Sequence, residues 1–472
     1  MSGRTASART VRRLATTVLA ALLSACSMMP AYERPAAPVA AAFPQSSAPG
    51  EAAAALPWRE FFTNEPLRTL IDTALRNNRD LRVAALNIEQ ARAQWGIREA
   101  DRLPGVGVAV GGNRARGSGN TTTTTYTAGL LVSSWEIDFF GRLASLAESG
   151  RAQFLATGEA RRAVQVSLVA SVANAWLGLA AENELLALTR QTLTAREESR
   201  RLVGLRFDNG ASSELDLRQA DSLTETARVA LAQQLRQRQQ NLNALTLLLG
   251  EALPADYTAG VGTQSVSLPD VPAGLPSQVL VQRPDVRQAE ELLVSANANI
   301  GAARAAFFPR ISLTAGLGTA SSELGLLFAG GTWGFTAAPQ LLAPVFDAGR
   351  NQAGLRSAEV AREVAVAQYE RAIQAAFREV ADALAGRATL GDQLQAQSAV
   401  AQAESVRLRL TRMRYDAGVS SQLELLDAQR AVFTAQQAEI QTRLQRLLNQ
   451  VALYRALGGG WADAPGAAPE RR

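Results

Sequence analysis

The stretch Arg206–Ala220 reads RFDNGASSELDLRQA, and Arg414–Ala428 reads RYDAGVSSQLELLDA. The two align without a gap at an offset of 208 residues, each ordering Arg-aromatic-Asp, Gly, Ser-Ser and Leu-acid-Leu. Both lie between long segments of helical character, so each predicts a tight turn between two long helices. Gly210 and Gly418 supply a position free to take φ > 0, where one helix stops. Ser213 and Ser421 then N-cap the next helix, with Asp216 and Glu424 three residues on as capping-box acids. A turn used twice predicts a duplicated chain.

The duplication extends outward from the turns. Asp80-Leu-Arg-Val-Ala84 matches Asp285-Val-Arg-Gln-Ala289 at an offset of 205, which also places Gly96 on Gly301 and Pro104 on Pro309. Gly141-Arg142 matches Gly349-Arg350 at the offset of the turns. Each half therefore has one order: helix, proline, Gly/Thr-rich strand-like segment, Gly-Arg, long helix, turn, long helix.

Composition narrows the function classes. A hydrophobic fraction of 47% supplies a core, and a mean hydropathy of −0.03 argues against a polytopic helical membrane protein. The formal charge is +5, but four arginines lie in the first 25 residues. Without them 44 basic residues face 43 acidic ones, which is no nucleic-acid footprint. The chain has no His, the commonest general base and metal ligand, and one Cys, Cys26, so no internal disulfide or cysteine metal cluster is expected. We therefore expect no enzyme, no metal and no cofactor.

In chain order, residues 1–25 read as a secretion signal, with Arg12-Arg13 ahead of the apolar run Leu14–Leu23. That run is too short to span a bilayer, which takes ~20 apolar residues. It ends in Leu23-Ser24-Ala25-Cys26, the pattern of a bacterial lipobox. The reading expects residues 26–64 to form a lipidated, extended N-terminal tether, with residues 27–57 rich in Pro and Ala. A first helix is predicted over about Glu65–Asp101, ended by Pro104.

Residues 104–140 predict a β-hairpin with a long Gly/Thr-rich loop over Gly111–Thr125, and residues 309–344 predict a second hairpin in which Ile311, Leu313, Ala315 and Leu317 alternate. Strands of ~9–11 residues with small residues between apolar ones suit a membrane barrel, though an aqueous antiparallel sheet fits the same pattern. Four strands are too few to close a barrel, whose smallest members have about eight, so strands in lipid require chains to combine. Prolines are absent from 105–253 and from 345–464, where long helices flank the tip turns at 206–216 and 414–424. Ala220, Leu223, Ala227, Leu231, Leu235, Leu242, Leu245 and Leu249 recur at a helical spacing that predicts a coiled-coil-like seam. The expected division is a first repeat over 65–253, a linker over 254–283, a second repeat over 284–457, and a disordered tail over 458–472.

On these residues the chain resembles the TolC-like outer-membrane efflux proteins, in particular their NodT or OprM-like lipoprotein branch. The resemblance is carried by Cys26 with its lipobox, Pro30-Ala-Tyr-Glu-Arg-Pro35, Trp58-Arg-Glu-Phe61, Asn78-Arg-Asp-Leu81, Arg283-Pro-Asp-Val-Arg-Gln-Ala-Glu290, Phe308-Pro309 and both turns, and it covers residues 20–457. It implies a mostly α fold with a membrane β part: a homotrimer whose long helices form a periplasmic α-barrel, and whose chains give four strands each to one transmembrane β-barrel. It also implies diacylglycerol and an N-acyl chain on Cys26, anchoring in outer-membrane lipid, and docking of a periplasmic adaptor and an inner-membrane pump of the resistance-nodulation-division type.

By the same resemblance, the turns containing Gly210, Ser213, Gly418 and Ser421 form the periplasmic tip. Glu424 and Asp427 match acids that ring its gate, and Asp216 and Tyr415 match members of a network linking neighbouring chains. Ser420 departs from the best-known member of that family, which by the resemblance has an arginine there as the partner of the Asp216 equivalent. From spacing alone, Asp216 and Glu424 are equally well read as capping acids and nothing more. The expected function is the exit duct of a tripartite drug-efflux system. The alternatives are the outer-membrane component of type I protein secretion, and a lipid-anchored periplasmic coiled-coil protein without a pore.

Overall fold

The computed structural model describes residues 27–43, 56–117, 119, 122–253, 262–270 and 277–460. The signal, Cys26 and the tail beyond residue 460 lie outside the described residues. Helices α1 (Trp58–Phe61), α2 (Glu65–Asn77) and α3 (Arg79–Ala100) precede strands β1 (Val106–Arg116) and β2 (Thr122–Ile137). Helices α4 (Arg142–Asp208) and α5 (Glu214–Leu249) follow. After two 3₁₀ turns the order returns as α6 (Pro284–Ala305), β3 (Arg310–Ser321), β4 (Trp333–Leu342), α7 (Arg350–Asp416) and α8 (Gln422–Ala456).

Both α4 and α7 have 67 residues without a break, so each is about 100 Å long at 1.5 Å per residue. Among the described residues, α4 is also the one helix long and apolar enough to cross a membrane. Its apolar segment is mostly buried, with Val172, Ala173, Trp176 and Leu177 at 2% exposure or less, so it is a core helix.

Packing divides the chain into two compact units that cut across the repeats. One holds Leu86–Glu159 and Arg287–Arg371 with the described residues up to Ala37; the other holds Pro38–Ala85, Ala160–Val286 and the residues from Ala372 onward. In the second unit, Phe61 stacks on Tyr454 at 4.0 Å between ring centroids, and the Tyr454 hydroxyl donates to the Leu56 carbonyl at 2.7 Å. Leu67, Leu70, Ile71 and Ala74, spaced three and four residues apart, are buried on one side of α2. Buried Arg283 donates to Asp285, to Glu379 and to the Ala456 carbonyl, which ties the start of α6 to α7 and the end of α8.

Several expectations need correction. The helix expected over Glu65–Asp101 is two helices, because Asn78 leaves helical geometry at ψ 131°. Its side chain donates to the Leu248 carbonyl and accepts from Leu81 N–H, so one amide ends a helix, starts the next and pins both to α5. Of the loop expected over Gly111–Thr125, Gly111–Arg116 and Thr122–Thr125 pair as strand instead. The linker carries 3₁₀ turns at Thr263–Ser265 and Ser277–Gln282. Residues 458–460, assigned to a disordered tail, are buried. The N-terminal segment is extended but fastened: Tyr32 and Arg34 both donate to Glu290 on α6, and Asn297 donates to the Pro30 carbonyl. The predicted seam lifts in its middle, where Leu235 is 45% exposed.

Candidate functional site

The four strands form one antiparallel sheet in the order β1-β2-β3-β4. Paired residues share a face of a pleated sheet, so the register sorts every side chain. One face carries the rows Val106–Val132–Ala315–Ala337, Val108–Leu130–Leu317–Phe335 and Val110–Ala128–Thr319–Trp333. The other carries Gly107, Ala109, Gly111 and Asn113, then Thr123, Thr125 and Thr127, then Ser312, Thr314, Gly316 and Gly318, then Thr336, Ala338 and Gln340. One face is mainly apolar and the other mainly small and polar, with Leu131, Arg310 and Leu342 as its larger side chains.

A bulge preserves this segregation. Between Val132 and Trp135 the β2 strand gains one residue on β3, and Ser134 takes φ 52° there. The extra residue returns Trp135 and Ile137 to the apolar face, opposite Leu313 and Ile311. From Leu341 to Trp333 that face spans eight residue steps, ~27 Å along the strand and ~20 Å in height at a tilt of ~40°. Phe335 is 81% exposed and Val108 78%, on a face with no aqueous reason to be apolar.

Among the described residues, two edges and one helix flank remain open. β1 and β4 each pair on one side only. The repeat-equivalent helices α3 and α6 are buried unequally: Leu293, Ala298 and Ile300 of α6 are 2% exposed or less, whereas Leu86 and Ile97 of α3 are 58% and 61% exposed. α6 lies against α4 through Ser149–Ser295, and Asn351 of α7 donates to the carbonyl of Ala306, one residue past the end of α6. α3 meets α4 through the stacked Trp95 and Phe154. Its other flank is uncovered.

At the tip turns, Gly210 (φ 73°) and Gly418 (φ 75°) take the left-handed conformation predicted for them. Ser213 caps α5 by accepting from Asp216 N–H at 3.1 Å, and Asp216 accepts from Ser213 N–H in a complete capping box. The Ser213 hydroxyl, with help from its N–H and from Ser212, holds the Asp216 carboxyl below its usual range. Ser421 caps α8 by accepting from Glu424 N–H, but the Glu424 carboxylate takes the Ser420 hydroxyl instead of completing the box. Ser420, where by the resemblance the best-known member has an arginine, thus serves its own turn.

The network expected of Asp216 and Tyr415 runs between neighbouring chains; within the chain the two have different partners. Tyr415 accepts from Arg206 of the first turn at 2.5 Å, beneath the same guanidinium at 5.2 Å from its ring centroid. This contact links the two turns. Asp427 is ion-paired with Arg407 across the hairpin at 2.6 Å and lies 4.0 Å from Arg430. Glu424 and Asp427 share an exposed face, with Leu425, Leu426 and Ala428 buried behind them.

The sequence reading missed both arginine contacts, yet a signal existed. In an antiparallel hairpin, residues roughly equidistant from the turn glycine face each other. Arg407 and Asp427 straddle Gly418 in this way, as Arg200 and Asp221 straddle Gly210. Buried Arg196 follows the same rule, donating to the Leu223 carbonyl, and it also lies over the Phe433 ring at 5.1 Å. Among the described residues no cluster of His, Cys, Asp and Glu has the makings of a metal site.

The family described as "Outer membrane efflux protein" matches residues 70–251 and 275–459. The chain is 46% identical over 473 residues to the toluene efflux pump outer membrane protein TtgC of Pseudomonas putida, covering 97% of each. It is 45% identical over 460 residues to outer membrane protein OprJ of Pseudomonas aeruginosa, covering 94% of this chain and 95% of OprJ. It superposes on the open state of the Neisseria gonorrhoeae MtrE outer membrane channel with a TM-score of 0.85 at 38% identity, over 92% of this chain and 99% of that one.

Proposed function

The chain belongs to the outer membrane efflux protein family and is the outer-membrane channel of an efflux system, and from that premise we propose how it builds its duct. Three copies close head to tail. β4 of one pairs with β1 of the next, making a twelve-stranded barrel from three four-stranded sheets. The apolar face meets lipid and the Gly/Thr/Ser face lines the lumen. The single observation that carries this reading is the sheet itself, two-faced by register and unpaired at both edges. In hydrocarbon each unpaired backbone group costs several kcal/mol, so open edges must close. The exposed flank of α3 supports the same closure, because a neighbouring copy would cover Leu86 and Ile97.

Solutes pass along the lumen without chemical change. The relatives named for toluene and antibiotic efflux suggest an apolar solvent and antibiotics as substrates for this chain too. A periplasmic adaptor would dock on the turns around Gly210, Ser213, Gly418 and Ser421, and an inner-membrane pump of the resistance-nodulation-division type would feed it. Three copies of Glu424 and Asp427 would ring the gate and favour cations. The Arg206–Tyr415 contact would hold the tip closed where Ser420 withholds an arginine. Acyl chains on Cys26 would add membrane affinity at about 0.8 kcal/mol per buried CH₂.

Electron microscopy of the protein in mild detergent, with planar-bilayer recording, tests this. We expect a threefold hollow particle that conducts. A compact monomer, or a particle without conductance, would refute it.

A further inference from the structure

We propose that Arg114 and Arg116 form a binding site for the phosphate groups of an acylated glycolipid in the outer leaflet. The proposal rests on the exit-duct reading, which puts the loop end of the sheet outside the cell. All four helix connections leave the opposite end: α3 enters β1, β2 leads to α4, α6 enters β3 and β4 leads to α7.

The site follows from the register. Arg114 and Arg116 stand on the same face as Val106, Val108 and Val110, so they lie on the lipid side and not in the lumen. Along that face the rows change character in order. The apolar rows end at Val110–Ala128–Thr319–Trp333, then come Gly112–Tyr126–Ser321, Arg114–Thr124 and Arg116–Thr122. Aromatic residues thus mark the edge of the hydrocarbon, where amphipathic rings collect. Both arginines begin one row above it.

The two arginines leave the strand about 7 Å apart at their Cα atoms, are exposed, and pair across the strand with Thr124 and Thr122. Guanidinium forks match phosphate oxygens bidentately, and stems buried against lipid leave the charged heads at headgroup height. The acidic residue described at this end is Glu323, in the β3–β4 connection. An aqueous rim would have no reason to place both cations on the membrane face.

The test uses the full-length protein, with its thermal denaturation followed in vesicles. Lipid A in phosphatidylcholine should raise the melting temperature, and phosphatidylcholine alone or dephosphorylated lipid A should not. Arg114→Ser with Arg116→Ser should raise the half-saturating lipid A content about 30-fold, the effect of two surface arginines. Glu323→Gln should leave it unchanged. Equal response of wild type and double variant would overturn the proposal. So would an equal shift from inorganic phosphate, which would mean a free-anion site. Bilayer conductance of the double variant separates the claims: loss of lipid response with conductance kept supports the site, and a wild type that does not conduct counts against the duct itself. Phosphorus co-purifying per wild-type chain gives a reading independent of variant folding, and none above phosphatidylcholine background would also overturn the site.

Discussion

Asp427 meets Arg407 at 2.6 Å, so the acid expected to line the gate brings its own counter-charge. Glu424 has no such cation and takes the Ser420 hydroxyl. The negative potential of a ring built from these turns therefore depends on an arginine in the facing helix as much as on the acids. Two opposed changes in single-channel recordings follow. Glu424→Gln with Asp427→Asn should lower cation selectivity. Arg407→Gln should raise it by roughly twofold, since a screened, exposed charge is being uncovered. If both variants keep wild-type selectivity, these acids do not face the pore. Spacing made Glu424 legible as a capping acid, and only the resemblance implied a gate role for Glu424 and Asp427; Arg407 was hidden because pairing across a hairpin is a matter of distance through space, not along the chain.

At the scale of elements, the sheet depends on glycines that let β2 and β3 approach. A Cβ on Gly318 would lie 2.3 Å from the Ala128 carbonyl oxygen and 2.6 Å from the Gly129 Cα. A Cβ on Gly334 of β4 would meet nothing within 4 Å. Gly318→Val should therefore cost about 1–3 kcal/mol of overpacking and lower the yield of folded, heat-resistant protein, while Gly334→Ala should be tolerated. Comparable yields from both would show that the strands adjust. The strand segments themselves were readable from alternation, but the bulge at Ser134 was not. It exists to keep Trp135 and Ile137 in register with a face that only pairing defines. The break at Asn78 is similar: the residue is helix-compatible in sequence, and what turns it into a double cap is the carbonyl of Leu248 beside it.

For the whole molecule, the claim is that both edges of the sheet are used. In an antiparallel strand, successive N–H groups point to opposite sides, so two neighbouring prolines in β1 probe two different edges. Of Val108→Pro and Ala109→Pro, one removes a bond to β2 and the other only an outward N–H. In a closed ring both should abolish the heat-resistant trimer on denaturing gels. If one of them leaves assembly intact, that edge is free in the working protein.

The order of helices, strands and turns, their duplication, and the glycine and serine chemistry of the tips were all determined by the sequence itself, because caps, turns and periodicity act within a few residues. Which face of the sheet is apolar, which acids are neutralised and which repeat flank stays bare were decided only in the tertiary structure. Those properties belong to strand register and helix pairing, which bring together residues as far apart as Leu130 and Leu317 or Arg206 and Tyr415.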